Sequence, residues 1–489
     1  MLPCRLRIPL ISLALVLSAC TSRDQAAANA AAEAEAAFGQ GRIPAAIRSI
    51  KAALAVRDDV SDYWLLLARI DTAAKDLPGA FDAYEHVIAL DRGNVEALRL
   101  LCQLGVTVNV PDKVDKYADK LLLLTPTDPL PLVAKGGAAL QRGDTKGALQ
   151  FAEQVLAANP QDNDALILKG RTLAARGDVV GAANLIEGAQ VGGDDDSAKL
   201  KFLKDLYVRA ADRAKYQATL KRLATVAPDD ADIQLEYADM LFQIGQSSVA
   251  NAVIFQQMQR HPNDVGIATG ILDVWLKQGP EALAPDQLEG RASAVSLEMK
   301  SVFARFANEI GRPDLAIAIL PRTFDDASPG PALSDAKAAL AFAAGLQGRS
   351  AYAMGILDEI LSTDEGHPAA LLARARLKAA GKDLTGAISD ARQLVAEDPR
   401  NVAARLSLVD FLTMRKDGDL ALSALREAVR TIPEDPRLAA RLAKLFIGRG
   451  DRAAAADILR DLLRAAPVSL RALRLRAALD PTGPPMRAG

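Results

Sequence analysis

An Asn, Asp or Ser returns in this chain at a fixed interval of 34 residues. The series runs Asn94, Asp128, Asp162, Asp196, Asp230, Asp264, and resumes as Asn401, Asp435 and Ser469. Two residues before many of these stands a proline: Pro126, Pro160, Pro228 and Pro262, then Pro399, Pro433 and Pro467. The short polar side chains accept a hydrogen bond from a free backbone N–H and so start helices. The prolines end the preceding helix, because proline lacks the N–H and disfavours helix just before it. A helix start every 34 residues restricts the chain to an array of like units. No such unit buries its own apolar stripe, so neighbours must stack.

A second break falls inside each unit. Gly143-Asp144, Gly177-Asp178 and Gly245-Gln246 sit at multiples of 34, and Gly381, Gly418 and Gly450 mark similar turns later. Glycine suits the left-handed position after a helix. Each unit therefore reads as helix A, tight turn, helix B, with helical apolar spacing such as Leu149, Ala152, Val155 and Leu156. Sustained β-type alternation is absent, so the chain is all-α. Half of its residues are hydrophobic, which excludes global disorder, yet only 4% are aromatic. Alanine-rich helices packed at close range supply the core instead.

This pattern resembles the tetratricopeptide repeat, a 34-residue helix–turn–helix unit. Counting from Ser61, Trp64, Leu67, Ala68, Ala80, Tyr84 and Val87 match its preferred residues, whereas Asp71 and Arg92 depart. Gly170, Ala182 and Ala189 match in the unit that starts at Asn163. Leu442, Ala443, Phe446, Ala455 and Pro467 match in the unit that starts at Pro436. Positions 8 and 20 require small side chains, because helices A and B cross there. Cys102 falls at position 8 and reads as a small core residue. The resemblance implies an α-solenoid, a right-handed superhelix of about thirteen repeats. Starts are expected near Ala27, Ser61, Val95, Pro129, Asn163, Ser197, Ala231, Val265, Leu297, Ser334, Pro368, Val402 and Pro436. The frame slips after Val265 and after Leu297, the second time beside Ser328-Pro329-Gly330-Pro331. The expected division is thus a block over 27–296, a block over 297–479 with a capping helix from Leu470 to Leu479, and a loose tail over 480–489.

The N-terminus reads as an address. Arg5 and Arg7 precede an apolar run from Ile8 to Ala19, about as long as the apolar core of a signal peptide and shorter than a membrane span. Leu17-Ser18-Ala19-Cys20 resembles the lipobox of bacterial lipoproteins. That resemblance implies cleavage of residues 1–19, lipidation of Cys20, and a tether over 20–26. Thr21 in place of Asp points to the periplasmic face of the outer membrane. Cys4 leaves with the signal, so only Cys102 stays as a free thiol and no internal disulfide can form.

Enzyme chemistry has little support. There is no GxxxxGK[ST], HExxH or GxSxG. His86, His261 and His367 lie in different units and read as solvated or capping residues. Asp194-Asp195-Asp196 lacks the spacing of a calcium loop, and Asp196 is in the capping register. No catalytic residue, metal site or cofactor is expected. A formal charge of −2 without a basic stripe argues against nucleic acid.

Function is therefore sought on the concave surface, which in this family is lined by positions 2, 5, 9, 12 and 13. Position 9 gives Arg171 and then Asp205, Asp239 and Asp273 in consecutive units, an acidic stripe suited to basic peptide segments. Asp232 at position 2 and Lys201 at position 5 join this candidate partner-binding groove. The paired Lys and Asn residues of a carboxylate clamp do not stand out. The expectation is a non-catalytic, lipid-anchored scaffold that binds protein partners in the cell envelope. It is similar in composition to the repeat lipoproteins of exopolysaccharide secretion, including those of PEP-CTERM systems. Outer-membrane protein assembly or quality control is one alternative. Direct glycan binding is another, disfavoured because Trp64 and Trp275 occupy core-type positions.

Overall fold

A computed structural model describes residues 11–189, 196–292, 295–320, 324 and 330–479, with side chains from residue 23 onward. Residues 1–10, the Cys20 side chain, Asp194, Asp195 and the tail over 480–489 lie outside the described residues, and with them most of the expected signal peptide. The described regular elements are 27 α-helices and one 3₁₀ turn. Among the described residues no helix is long and apolar enough to cross a membrane.

The chain forms two compact units, residues 1–194 and 195–489. The first holds five helix pairs. These are α1 (Ile11–Gly39) with α2 (Ile43–Leu54), α3 (Ser61–Ala73) with α4 (Leu77–Leu90), α5 (Val95–Thr107) with α6 (Pro111–Leu124), α7 (Leu130–Gln141) with α8 (Thr145–Ala158), and α9 (Asn163–Ala175) with α10 (Val179–Gly188). The second holds α11 (Ser197–Arg209) with α12 (Arg213–Val226), α13 (Ala231–Gln243) with α14 (Ser247–Arg260), α15 (Val265–Gln278) with α16 (Pro285–Ala292), and α17 (Leu297–Glu309) with α18 (Pro313–Ile319). It continues with α19 (Pro331–Leu346) and α20 (Ser350–Thr363), α21 (Pro368–Ala380) and α22 (Leu384–Glu397), α23 (Val402–Met414) and α24 (Gly418–Thr431), α25 (Pro436–Gly448) and α26 (Arg452–Ala465), and the closing helix α27 (Leu470–Leu479).

The expected caps form. Asn94, Asp162, Asp196, Asp230, Asp264, Asn401 and Asp435 each accept a backbone N–H of the first turn they precede. Asp128 differs: it accepts Leu130 N–H at 3.1 Å and pairs with Arg99, while Pro129 stands at the cap position. The left-handed turn residue is Gly143, Gly177, Gly245 and Gly450 as expected. In two later turns it is Lys382, one residue after the expected Gly381, and Lys416, two residues before the expected Gly418. There the short Asp383 and Asp417 follow at once, and the strained φ falls on the lysine one residue ahead.

Small residues fill the helix crossings. At position 8, Ala68, Cys102, Ala238, Ala304, Ala341, Ala375 and Ala443 are fully buried, and so at position 20 are Ala46, Ala80, Ala148, Ala182, Ala250, Ala316, Ala353 and Ala387. Gly136 makes the constraint explicit. A Cβ there would stand 2.3 Å from Leu168 Cδ2. Burial pushes the Cys102 thiol up to about 12, which keeps it protonated and unreactive, as expected of a core residue.

The frame slips take physical form between α15 and α19. A 3₁₀ turn (Gly279–Glu281) interrupts the repeat before α16, and α18 has only seven residues. The A helices α15, α17 and α19 nevertheless pack in succession. The stack of A helices thus runs through the slip. An aromatic cluster holds this stretch. Trp275 is fully buried, lies 5.3 and 5.5 Å from the Phe303 and Phe306 rings, and donates its indole N–H to Asn251 Oδ1 at 3.0 Å. In the first unit α1 continues through the expected tether, where Asp24 pairs with Arg57 at 2.6 Å.

Candidate functional site

In the second unit several A helices turn side chains of one face toward a common space. These faces border a half-open cavity of about 720 Å³. That is within the ~300–1,000 Å³ of ordinary ligand pockets. Its wall is built by α13, α15, α17, α19 and α21, through residues such as Met240, Leu272, Arg305, Phe342 and Leu372. The opposite wall is made by the N-terminal ends of α23, α25 and α27, including Val402, Arg437 and Arg471. The lining alternates apolar side chains with charged ones.

Two arginines of the closing wall meet the acidic stripe. Arg471 donates to Asp239 Oδ1 at 3.1 Å, and its backbone N–H donates to Gln243 Oε1 at 3.3 Å. Asp239 also accepts from Gln243 Nε2 at 2.7 Å and Gln278 Nε2 at 3.1 Å. Arg437 reaches Asp273 at 3.4 Å, while its closer partner is Asp435 at 2.7 Å. Burial alone would lower the Arg437 pKa. Asp435 and Asp273 outweigh it and raise the value, so the guanidinium stays charged. Asp273 keeps a second partner, Lys277, at 2.6 Å. Farther along the wall Arg376 pairs with Glu309 and lies over the Phe342 ring.

The sequence-derived groove residues separate in the structure. Asp239 and Asp273 line the cavity. Asp205 stays 69% exposed, with Lys204 4.0 Å away, and is not part of the lining. Lys201 pairs with the helix cap Asp230 at 2.7 Å. Asp232 is exposed on the first turn of α13, and Arg171 belongs to the first unit. The consecutive stripe is therefore two carboxylates facing the cavity, both already held by arginine.

Other residues went unremarked in the sequence. Arg437 and Arg471 stand at position 2 of their repeats, and Asn308 and Glu309 at positions 12 and 13, so the concave-position rule already pointed to all four. What it could not supply was their company across 164 and 232 residues of chain. Asn308 is 6% exposed. Its Nδ2 donates to Ala339 O at 2.9 Å, and its Oδ1 has no hydrogen-bond partner. The repeat starting at Ser197 also breaks the small-residue rule, with Lys204 at position 8 and Tyr216 at position 20. Both reach Glu236 of the next repeat, at 2.6 and 3.0 Å, and burial together with Glu236 raises the Tyr216 pKa.

Among the described residues no group of three or more His, Cys, Asp or Glu is placed to hold a metal ion. His367 caps α21 by accepting Ala370 N–H on Nδ1 at 3.3 Å, and His86 stacks on Trp64.

Comparison with known proteins agrees with this architecture. Two tetratricopeptide-repeat family models match, one over residues 139–201 and 412–479, the other over 31–95 and 372–436. No curated protein sequence matched the chain. Among solved structures, a tetratricopeptide repeat protein from Parabacteroides merdae is 17% identical, with a TM-score of 0.37, covering 51% of this chain and 98% of its own. The thermophilic TPR protein TTC0263 of Thermus thermophilus is 18% identical, with a TM-score of 0.34, covering 37% and 100%. The Cut9–Hcn1 hetero-tetramer of APC/C is matched at 14% identity and a TM-score of 0.29, covering 95% and 99%.

Proposed function

We propose that this chain, which carries tetratricopeptide repeats in both of its units, is a non-catalytic scaffold of a bacterial envelope complex, with the cavity of the second unit as its partner site. Repeat solenoids of this kind are protein-interaction modules, because stacking leaves one face of every A helix free to form a continuous concave surface. The observation that carries the reading is the cavity itself. It is large enough for several residues of a peptide, and apolar positions such as Leu272, Phe342 and Leu372 alternate with charged ones along its wall.

The envelope location rests on the sequence. Arg5 and Arg7, the apolar run and Cys20 support a lipid anchor, and an anchored scaffold raises the effective concentration of whatever it binds. Within the envelope, exopolysaccharide secretion is the complex to which the compositional resemblance points. In-cell crosslinking of the full chain followed by mass spectrometry tests this. Recovery of export-channel or synthase subunits, lost on Phe342→Glu, is the expected result. Recovery of outer-membrane assembly factors instead would keep the scaffold and discard the secretion role. Cys20→Ala is expected to move the protein out of the membrane fraction, and a variant still held there would overturn the anchor.

A further inference from the structure

The acidic stripe suits basic segments, and in the structure basic groups occupy it. They come from the same chain. Arg471 and Arg437 are 34 residues apart at the same repeat position, and they meet Asp239 and Asp273, also 34 apart. The two repeats of one wall thus take two guanidinium groups in register. Two features show that this arrangement leaves binding capacity over. The Arg437–Asp273 contact is long, at 3.4 Å, and Asp273 remains 48% exposed. Independently, Asn308 in the same cavity carries an amide oxygen with no donor, on a side chain fixed by its own hydrogen bond to Ala339. A buried acceptor without a donor is costly. That oxygen lacks an N–H, and a guanidinium offers five such donors in one plane. The arginines of the α17 and α21 wall do not reverse this preference. Arg376 is neutralised by Glu309, and Arg305 has Asp335 4.0 Å away.

We propose that the cavity of the second unit binds an arginine-bearing segment of a partner protein, and that Arg437 and Arg471 occupy its carboxylates until that segment displaces them. The proposal rests on the scaffold reading for the existence of a partner. It adds the partner's chemistry and a built-in competitor. Incoming arginines take Asp239 and Asp273, and Asn308 Oδ1, buried while the wall is closed, receives an N–H of the same segment once the wall moves. The closing wall of α25 and α27 is released as its arginines are replaced.

Fluorescence anisotropy of the full mature chain tests this with two labelled dodecapeptides. One carries two arginines on an Ala/Leu background, the other two glutamates at the same places. The wild type is expected to prefer the arginine peptide. Arg437→Gln with Arg471→Gln should bind it at least tenfold more tightly, because the competitor is gone. Asp239→Asn with Asp273→Asn should lose it. Preference for the glutamate peptide, or a Gln variant that binds no better than wild type, would overturn the proposal. Should circular dichroism show the Gln variant unfolded, Arg437→Lys with Arg471→Lys decides. It keeps the charge but not the fork, so tighter binding than wild type is again expected and unchanged binding refutes the competitor. Failure of the scaffold reading looks different, since the arginine peptide then responds as described while in-cell crosslinking captures no partner.

Discussion

Among the described contacts, the charged side chains of the first unit bridge adjacent repeats, whereas those of the second also bridge repeats far apart in the chain. Arg69 pairs with Glu96 and Lys113 with Glu85, in each case from one helix pair to the next. The buried residues from Ala31 to Ala138 form one continuous strip in the same neighbour-to-neighbour manner. In the second unit Arg376–Glu309, Arg437–Asp273 and Arg471–Asp239 join residues 67, 164 and 232 positions apart. An open stack has a stability that is roughly a sum over neighbouring repeats. A stack whose ends of a turn touch gains couplings that no neighbour sum contains. The same residue types thus give a one-dimensional array in one unit and a closed site in the other.

Substitutions can break this contrast, and the largest effect is expected at Trp275. Trp275→Ala removes a fully buried ring packed on Phe303 and Phe306 and should cost about 3–5 kcal/mol. Hydrogen exchange is expected to rise through the second unit as far as α25 and α27, with the first unit unchanged. A rise confined to α14–α17 would mean that the closing contacts transmit nothing. Gly136→Val is the counterpart in the first unit. Its side chain collides with Leu168 and Phe151, and overpacking of this kind costs about 1–3 kcal/mol. Faster exchange is expected in α7–α9 and little beyond them.

The ion pairs sharpen the contrast further. A double-mutant cycle on Asp239 and Arg471, whose side chains are 20% and 23% exposed, should give a coupling of about 0.5–3 kcal/mol. The Arg69–Glu96 pair is half exposed, so solvent screening should hold its coupling to about 0.2–1 kcal/mol. Equal couplings would remove the distinction. The smallest effect is expected at Asp71, buried where the repeat family carries an aromatic side chain. Burial raises its carboxyl pKa, helped by Asp76. The raised value means that the ionised form is disfavoured in the fold. The penalty is full above the folded-state pKa, shrinks as pH falls, and is absent below the ordinary value of 3.8. Asp71→Asn should therefore raise the urea midpoint at neutral pH and lose that advantage in acid.

Much of the architecture was readable because its causes are local. A cap, a turn residue and a small residue at a helix crossing each act within a few residues, so Asp162, Gly177 and Ala182 announced their roles in sequence. The starts inferred for α3, α5, α9, α11, α13, α15, α17, α21, α23 and α25 coincide with the structure for that reason. The candidate site was readable only in part. Position 9 gave Asp205, Asp239 and Asp273 equal standing, and in the structure only the last two line the cavity. Lys204 and Tyr216 could have warned of this, since two large residues at the crossing positions mark the first repeat of the second unit as irregular.

The sequence by itself determined the helices, their ends, the 34-residue period and the faces that stack. Those depend on hydrogen bonds and contacts spanning one or two repeats. Only the tertiary structure decided that α25 and α27 return to α13 and α15, and so that the carboxylates of the stripe are matched by Arg437 and Arg471. The physical reason is accumulation. Each repeat adds a small rotation, and the partner of a side chain a whole turn away depends on the sum of many such rotations. The irregular joints at α16 and α18 contribute to that sum, and no single residue encodes it.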